Sequence, residues 1–470
     1  MSEPCALSAT ALARMIRRRE LSCEALLSAS LARIEQVQPA LNPFAFVFAE
    51  AALAAARAAD AAVRRGAPLG PLHGLPVAFK DFTPTAGHIT TRGSACFEGD
   101  VAESDPVIVR RFKAAGAILI GKTTTPEFAH SSFTRSPLWG HTRNPWDARK
   151  TCGGSSGGAA VAVTTGCVAL AEGTDMGGSV RIPAALSGCV GLKPSLGRIP
   201  MDILPSCFDD HAHFGPLART VEDAALFLRV AEGPDEADIN SQPAPMPLPD
   251  RLDGDLRGLR LALCTDLGFY AVNAEVEANL LATARVLAEA GAVIEEVELD
   301  WGPELVEAWL DWWGAFQAAS FARLLPEWRE RMDPELVALI EAGQRLSALD
   351  LLRIDQLRSR QWRSLAAIFA RCDALLCPTT ALPAPPIEAR DSDFELLDDA
   401  GRLHGLDMTC PFNLLGQCPA LSLPSGHTAA GLPTAIQIVG RRFDDPTALR
   451  IGAAIEQGRP WRHWTPENLI

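Results

Sequence analysis

The chain has 470 residues, 48% of them hydrophobic, and a formal net charge of −14 at pH 7. That length and apolar content suffice for a large buried core, while the acidic balance, with no basic patch, excludes an extended nucleic-acid surface, which needs cations to neutralise phosphates. Twelve cysteines without a CxxC pair indicate neither a zinc site nor a disulfide framework, and the absence of a signal-peptide pattern or a bilayer-length apolar run makes reduced thiols in the cytoplasm the expected setting, with no membrane partner.

In chain order, residues 7–36 and 43–65 carry Ala, Leu, Arg and Glu at helical spacing, so two helices are expected, broken at Asn42-Pro43. Arg17 to Arg19 falls on the first of them and reads as a solvated face. From about residue 74 short β-branched runs alternate with helical segments: Val77-Ala78-Phe79, a helix near 105–115, then Ile118-Leu119-Ile120. This alternation predicts an α/β sheet with helices on both faces. Gly157 to Ala171 reads as a buried helix, and the Pro- and Asp-rich stretch 233–256 as a surface connection. A strand is expected at Leu259–Cys264, a helix at 275–291, and a strand again at Ala374–Leu376.

The segment 301–362 holds six of the ten tryptophans in a mostly helical pattern. It is either a satellite cluster packed on the core or an aromatic wall over a pocket for bulky ligands.

Two motifs carry chemistry. Gly153-Gly154-Ser155-Ser156-Gly157-Gly158 is followed by Asp175-Met176-Gly177-Gly178-Ser179-Val180-Arg181, placing serines on tight glycine backbone, as acyl transfer requires of an open hydroxyl beside N–H donors. Lys80 closes the apolar run Val77-Ala78-Phe79. There are only five lysines against thirty-eight arginines, and all five lie between 80 and 193. A desolvated lysine can shed its proton and act as a base, which arginine cannot; read alone, Lys80 could equally be a surface or salt-bridging residue.

Taken together, GLPVAFKD, CGGSSGGAAVAVTTG and GTDMGGSVRIPAALSGCVGLKPS resemble the amidase signature family of serine hydrolases over about residues 74–200, with further likeness at Gly215–Thr220, Pro419–Pro424, Gly431–Pro433 and Gln437. The resemblance implies a single domain over 1–470: N-terminal helices in 1–66, a catalytic core in 67–232, and a part in 257–470 that completes a mixed, mostly parallel twisted sheet, with the Trp-rich 301–370 near the pocket. It implies Ser179 as nucleophile, Ser155, after a cis peptide, as bridging serine, and Lys80 as general base. Backbone N–H groups of Met176, Gly177, Gly178 and Ser179 would hold the oxyanion, braced by Ser156, Asp175 and Arg181. No histidine stands in these motifs, and a neutral lysine relayed through a second hydroxyl can take its place. No cofactor or metal is required. Ala129, His130, Ser131 and Phe133 match a pocket-lining segment of relatives, and Trp312, Trp313 and Phe316 are further pocket candidates.

Two patterns point elsewhere on paper. Gly116 to Thr123 fits the P-loop spelling, yet its middle residues Ala-Ile-Leu-Ile read as strand interior, not a phosphate cradle. Asp209, Asp210, His211 and His213 resemble a ligand cluster but precede an ordinary Gly215-Pro216 turn. The expected reaction is hydrolysis of a small carboxamide or N-substituted, aromatic or xenobiotic amide; Asn144-Pro145-Trp146 with Phe412-Asn413 and Gly416-Gln417 is similar to bacterial amidases of that kind, cyclic-dimer hydrolases included. The alternative is the glutaminase subunit of a tRNA-dependent amidotransferase, which usually carries threonine where this chain has Met176. A homo-oligomer is left open.

Overall fold

Short apolar runs bounded by glycine and proline become the strands of one large sheet. The computed structural model describes residues 4–249 and 252–461. Its strands, in chain order, are β1 (Phe44–Val47), β2 (Pro76–Lys80), β3 (Ile118–Thr123), β4 (Arg135–Ser136), β5 (Gly140–His141), β6 (Leu170–Asp175), β7 (Val190–Lys193), β8 (His213–Ala218), β9 (Arg260–Leu263), β10 (Val293–Glu296), β11 (Ala374–Pro378), β12 (Ala420–His427) and β13 (Pro433–Gly440). Among the described residues, eleven of them form one sheet in the order β1-β3-β2-β6-β8-β7-β12-β13-β11-β9-β10, and β4 pairs with β5 as a separate hairpin.

The α/β reading holds, with one correction: the sheet is mixed but mostly antiparallel. Parallel pairing is confined to β2 with β3 and β6, and to β9 with β10 and β11. The remaining six pairings are antiparallel. A parallel pair needs a long crossover, whose helix shows in the sequence, whereas an antiparallel pair can be closed by a short loop that leaves no helical signal. The β12–β13 turn is such a loop, tied by Thr428 N–H to Leu432 O at 2.9 Å.

The N-terminal part also differs from expectation. Its helices are Ala9–Arg17, Cys23–Leu41 and Ala49–Arg64, and Phe44–Val47 is an edge strand rather than helix. Asn42 ends the second helix in the left-handed region at φ 54, and the chain then pairs antiparallel with β3. Gly157 to Ala171 is likewise two elements, the helix Gly157–Thr164 and the start of β6. Between 233 and 256 the described residues contain neither helix nor strand, and Asp250 and Arg251 lie outside them.

The Trp-rich segment is helical, as Glu304–Phe321, Leu325–Trp328, Pro334–Gly343 and Ala348–Phe369. Ser347 and Asp350 form a capping box at the start of the last of these. Glu304–Phe321 and Pro334–Gly343 meet at two glycines: a Cβ on Gly343 would lie 1.9 Å from Gly314 O, so backbone touches backbone there. On another side, the Trp-bearing helix Glu304–Phe321 meets the loops that follow β3 and β6, donating from Trp313 to His130 O and from Trp309 to Met176 O.

Candidate active site

β2 and β6 run parallel side by side, so their carboxyl ends emerge together, the usual location for a ligand in an α/β sheet. Lys80 ends β2, and Asp175 ends β6. Into the same place comes Ser155, on the loop that leads into the helix Gly157–Thr164; the Gly154–Ser155 peptide is cis.

Lys80 and Ser155 are fully buried. Lys80 Nζ donates to Ser155 Oγ at 2.6 Å and to Thr174 Oγ1 at 3.0 Å. Burial drives the amine well below the ordinary lysine value, against the opposing pull of Glu172 and Asp175. Glu172 is buried beside it, accepting the Lys80 backbone N–H at 2.9 Å and the Thr83 hydroxyl at 2.9 Å. Loss of solvent pushes its carboxyl up, against those hydrogen bonds and the two lysines Lys80 and Lys122. An amine and a carboxylic acid thus share a dry site in which both charges are disfavoured.

The loop after β6 is held almost entirely by its carbonyls. Met176 O accepts from Trp309 Nε1 at 3.0 Å, Gly177 O from the Thr409 hydroxyl at 2.6 Å, Gly178 O from Ile182 N–H at 2.7 Å, and Ser179 O from Ser156 N–H at 3.0 Å. Of the four N–H groups, that of Gly178 donates to Asp175 Oδ1 at 3.0 Å and is committed. Those of Met176, Gly177 and Ser179 have no partner among the described residues. Gly178, at φ 132, has backbone geometry that L side chains rarely adopt, and a Cβ there would lie 1.9 Å from Thr409 Oγ1.

Beneath the loop lies a dry ion pair. Arg181 and Asp175 are both fully buried, joined through Nε–Oδ2 at 3.0 Å and Nη2–Oδ1 at 2.9 Å. Arg181 also donates to Gln437 Oε1, Asn413 Oδ1 and Thr409 O. Burial, the largest influence on Asp175, would raise its pKa, but the Arg181 charge and the hydrogen bonds from Arg181 and Asn413 overcome it and hold the carboxyl far below its usual range. Ser156 packs under the same loop, its hydroxyl 3.3 Å from Thr174 O.

Above these residues opens a cavity, with Ser155, Thr174 and half-buried Ser179 on its floor. Of the residues singled out in the sequence, Ala129, His130, Ser131, Trp313 and Phe316 line it, together with Met176 and Gly177. Two pocket candidates do not. Trp312 sits one residue off the cavity-facing stripe and stacks on His211 at 3.8 Å between ring centroids. Phe133 turns inward, 1% exposed, behind Phe394, which takes the lining position. Missed from the sequence were Phe82, Tyr270, Trp309, Phe394 and Asp407, which line the cavity from distant parts of the chain. Only Trp309 carried a signal, its four-residue spacing from Trp313. No lysine or arginine lines the cavity among the described residues, whereas Asp391, Glu395 and Asp407 do.

The P-loop spelling falls on β3, with Lys122 Nζ buried against Thr90 Oγ1 at 2.5 Å. Among the described residues no His, Cys, Asp or Glu cluster has the makings of a metal site; Asp210 instead pairs with His211 and Arg358, and His213 faces Gly416 O. All twelve cysteines are free thiols. No helix among the described residues is long and apolar enough to cross a membrane.

Comparison with known proteins follows the same lines. The family model described as Amidase matches residues 25–449. An acylamidase of Rhodococcus erythropolis is 36% identical, over 99% of this chain and 98% of its own. A glutamyl-tRNA(Gln) amidotransferase subunit of Chloroflexus aggregans is also 36% identical, over 95% of each chain. Among solved structures, a bacterial aryl acylamidase of the amidase signature family superposes with a TM-score of 0.91 at 29% identity, covering 97% of this chain and 96% of that one.

Proposed function

The chain belongs to the amidase signature family and is an amide C–N hydrolase, and from that premise we propose that it cleaves an uncharged carboxamide or N-substituted, aromatic amide through an acyl-enzyme on Ser179. The observation that carries this reading is the 2.6 Å contact between a desolvated Lys80 amine and the Ser155 hydroxyl, on the floor of the cavity that Ser179 also lines.

In the proposed sequence, neutral Lys80 takes the Ser155 proton as Ser155 takes that of Ser179, and Ser179 Oγ attacks the amide carbon. The tetrahedral oxyanion would be received by the Met176, Gly177 and Ser179 N–H groups, the three not already engaged. Each such donor is worth roughly 3 kcal/mol of transition-state stabilisation. The intermediate collapses with loss of the amine, protonated through Ser155 from Lys80. Water then attacks the acyl-enzyme by the same relay, releasing acid and restoring Ser179.

The substrate reading rests on the lining. Phe82, Trp309, Trp313, Phe316 and Phe394 offer an aromatic wall. Sequence identity alone does not separate an acylamidase from the glutaminase subunit, since relatives of both kinds are equally similar. Charge does favour one: glutamine would bring an α-carboxylate into a cavity lined, beside the Arg181-paired Asp175, by three further carboxyl groups and, among the described residues, by no lysine or arginine. Product analysis by mass spectrometry with a panel of primary amides, anilides, amino-acid amides, lactams and glutamine, run on the parent and Ser179→Ala, tests the proposal. Ser179-dependent cleavage of anilides or neutral amides by the lone chain is expected. Cleavage of glutamine alone, and only with added partner proteins, would replace it with the amidotransferase reading.

A further inference from the structure

The helix Glu304–Phe321 turns a stripe of donors toward the active-site loops. Trp309, Trp313 and Gln317 are spaced by four residues and so share one face. Each donates to a backbone carbonyl: Trp309 Nε1 to Met176 at 3.0 Å, Trp313 Nε1 to His130 at 3.1 Å, and Gln317 Nε2 to Phe128 at 3.3 Å. A partly or wholly buried indole N–H needs an acceptor, and that alone would be structural housekeeping.

The Trp309 bond differs in which carbonyl it holds. Met176 C=O and Gly177 N–H belong to one planar trans peptide, so the two groups point in opposite directions and fixing the oxygen fixes the hydrogen. That N–H is one of the three with no partner among the described residues, and Gly177 lines the cavity beside Ser179. A hydrogen bond accepted by the carbonyl also polarises the N–H across the same peptide, making it the stronger donor. The indole ring fills the remaining space: a Cβ on Gly177 would fall 2.1 Å from Trp309 Cζ2, so the peptide is clamped by ring and N–H together.

We propose that Trp309 is a positioning residue for amide cleavage, aiming the Gly177 N–H at the developing oxyanion from outside the signature motifs. The inference rests on the Ser179 acyl-enzyme reading. It also gives the Trp-rich helix a second role, since the ring that borders the substrate space is the one that orients an oxyanion donor.

The test compares Trp309→Phe, which keeps an aromatic ring but removes the N–H, with Gln317→Met, which loses the bond from the same helix face to Phe128 O, a carbonyl that flanks no oxyanion donor, at a buried residue outside the cavity lining. The probes are para-nitroacetanilide as substrate and an aryl trifluoromethyl ketone, whose serine adduct carries an oxyanion. Melting temperatures of both variants verify that each remains folded. For Trp309→Phe, kcat is expected to fall roughly ten- to a hundredfold, short of the loss of a whole oxyanion donor. KM should change little, and affinity for the ketone should fall by the same factor as kcat. Gln317→Met should show no matching loss of kcat and ketone affinity. Parental kcat and ketone affinity in Trp309→Phe, a change confined to KM, or equal losses in both variants would overturn the proposal. A ketone that binds the parent and Ser179→Ala equally, or no Ser179-dependent turnover of the anilide, would instead fell the acyl-enzyme reading, and the proposal with it.

Discussion

Replacing Asp175 by asparagine separates the stability of the buried ion pair from its effect on the loop above. The carboxylate accepts Arg181 Nε and Nη2, Asn413 Nδ2, and the backbone N–H groups of Gly178 and Val180, all at 2.9–3.1 Å. Asparagine keeps the shape but leaves the Arg181 charge dry, with only the neutral acceptors Gln437, Asn413 and Thr409 around it. Breaking a buried pair by removing one partner costs about 3–5 kcal/mol. A chain of 470 residues melts with an entropy of roughly 1 kcal/mol per kelvin, so calorimetry should show Tm lowered by about 3–5 K. Because the Asp175 pKa is depressed in the fold, its contribution is present above the unfolded value of about 3.9 and is lost as pH falls through the folded one. The two proteins therefore differ constantly from pH 5 to 8 and begin to converge below about pH 4. The Gly178 tether is weakened too, so kcat on the best amide should fall about 100-fold or more, as when an oxyanion donor is misplaced. A variant that melts with the parent and turns over at the parental rate would refute both the energetic weight of the pair and its hold on the loop.

Four further outcomes are expected. The acid limb of kcat/KM should lie near neutral pH, far below the ~10.4 of an ordinary lysine, because the active base is neutral Lys80 and burial favours that form; Glu172→Gln, which removes a carboxyl that favours the protonated amine, should move the limb to lower pH, and an unmoved limb would dismiss the coupling. Lys80→Arg should be inactive across the whole profile, since guanidinium cannot give up its proton. Gly178→Ala, whose Cβ would meet Thr409 Oγ1 at 1.9 Å on φ 132 backbone, should lose about 1–3 kcal/mol of stability to strain and most of its turnover; denaturant midpoints and initial rates check both. Trp313→Ala should change the preference between bulky and small amides, whereas Trp312→Ala, outside the cavity lining and stacked on His211, Trp313 and Phe316, should lower stability by at least about 1 kcal/mol and shift that preference less than Trp313→Ala does.

The parts legible in the sequence are those where one local segment does the whole job. β2 with its terminal lysine, the two serine loops and the helix behind them each announce themselves by apolar runs and glycine. The proportion of antiparallel pairs was not legible, because β7 with β8 and β12 with β13 pair without a crossover helix to mark them. Nor was the cavity wall, which gathers Phe82, Tyr270, Trp309, Phe394 and Asp407 from across the chain; side-chain direction, not residue type, decides that Trp313 faces inward and Trp312 does not.

The scarcity of lysine is a subtler case. Of the five, Lys80, Lys122 and Lys193 are fully buried near the ends of β2, β3 and β7. Burial pushes all three amines down, Lys122 to about 8 and Lys193 to about 7. Arginine would keep its charge in such places, so these three lysines occupy positions that suit a cation able to become neutral. It does not by itself mark catalysis: Lys193 serves the carbonyls of Cys418 and Gly416, and Lys122 serves Thr90 and Ile89. What sets Lys80 apart is its neighbour, a serine hydroxyl at 2.6 Å that borders the cavity. The chemistry of the site therefore lies in the pairing of a dischargeable amine with a cavity-lining hydroxyl, and a lysine lacking that pairing remains a structural one however far its pKa is shifted.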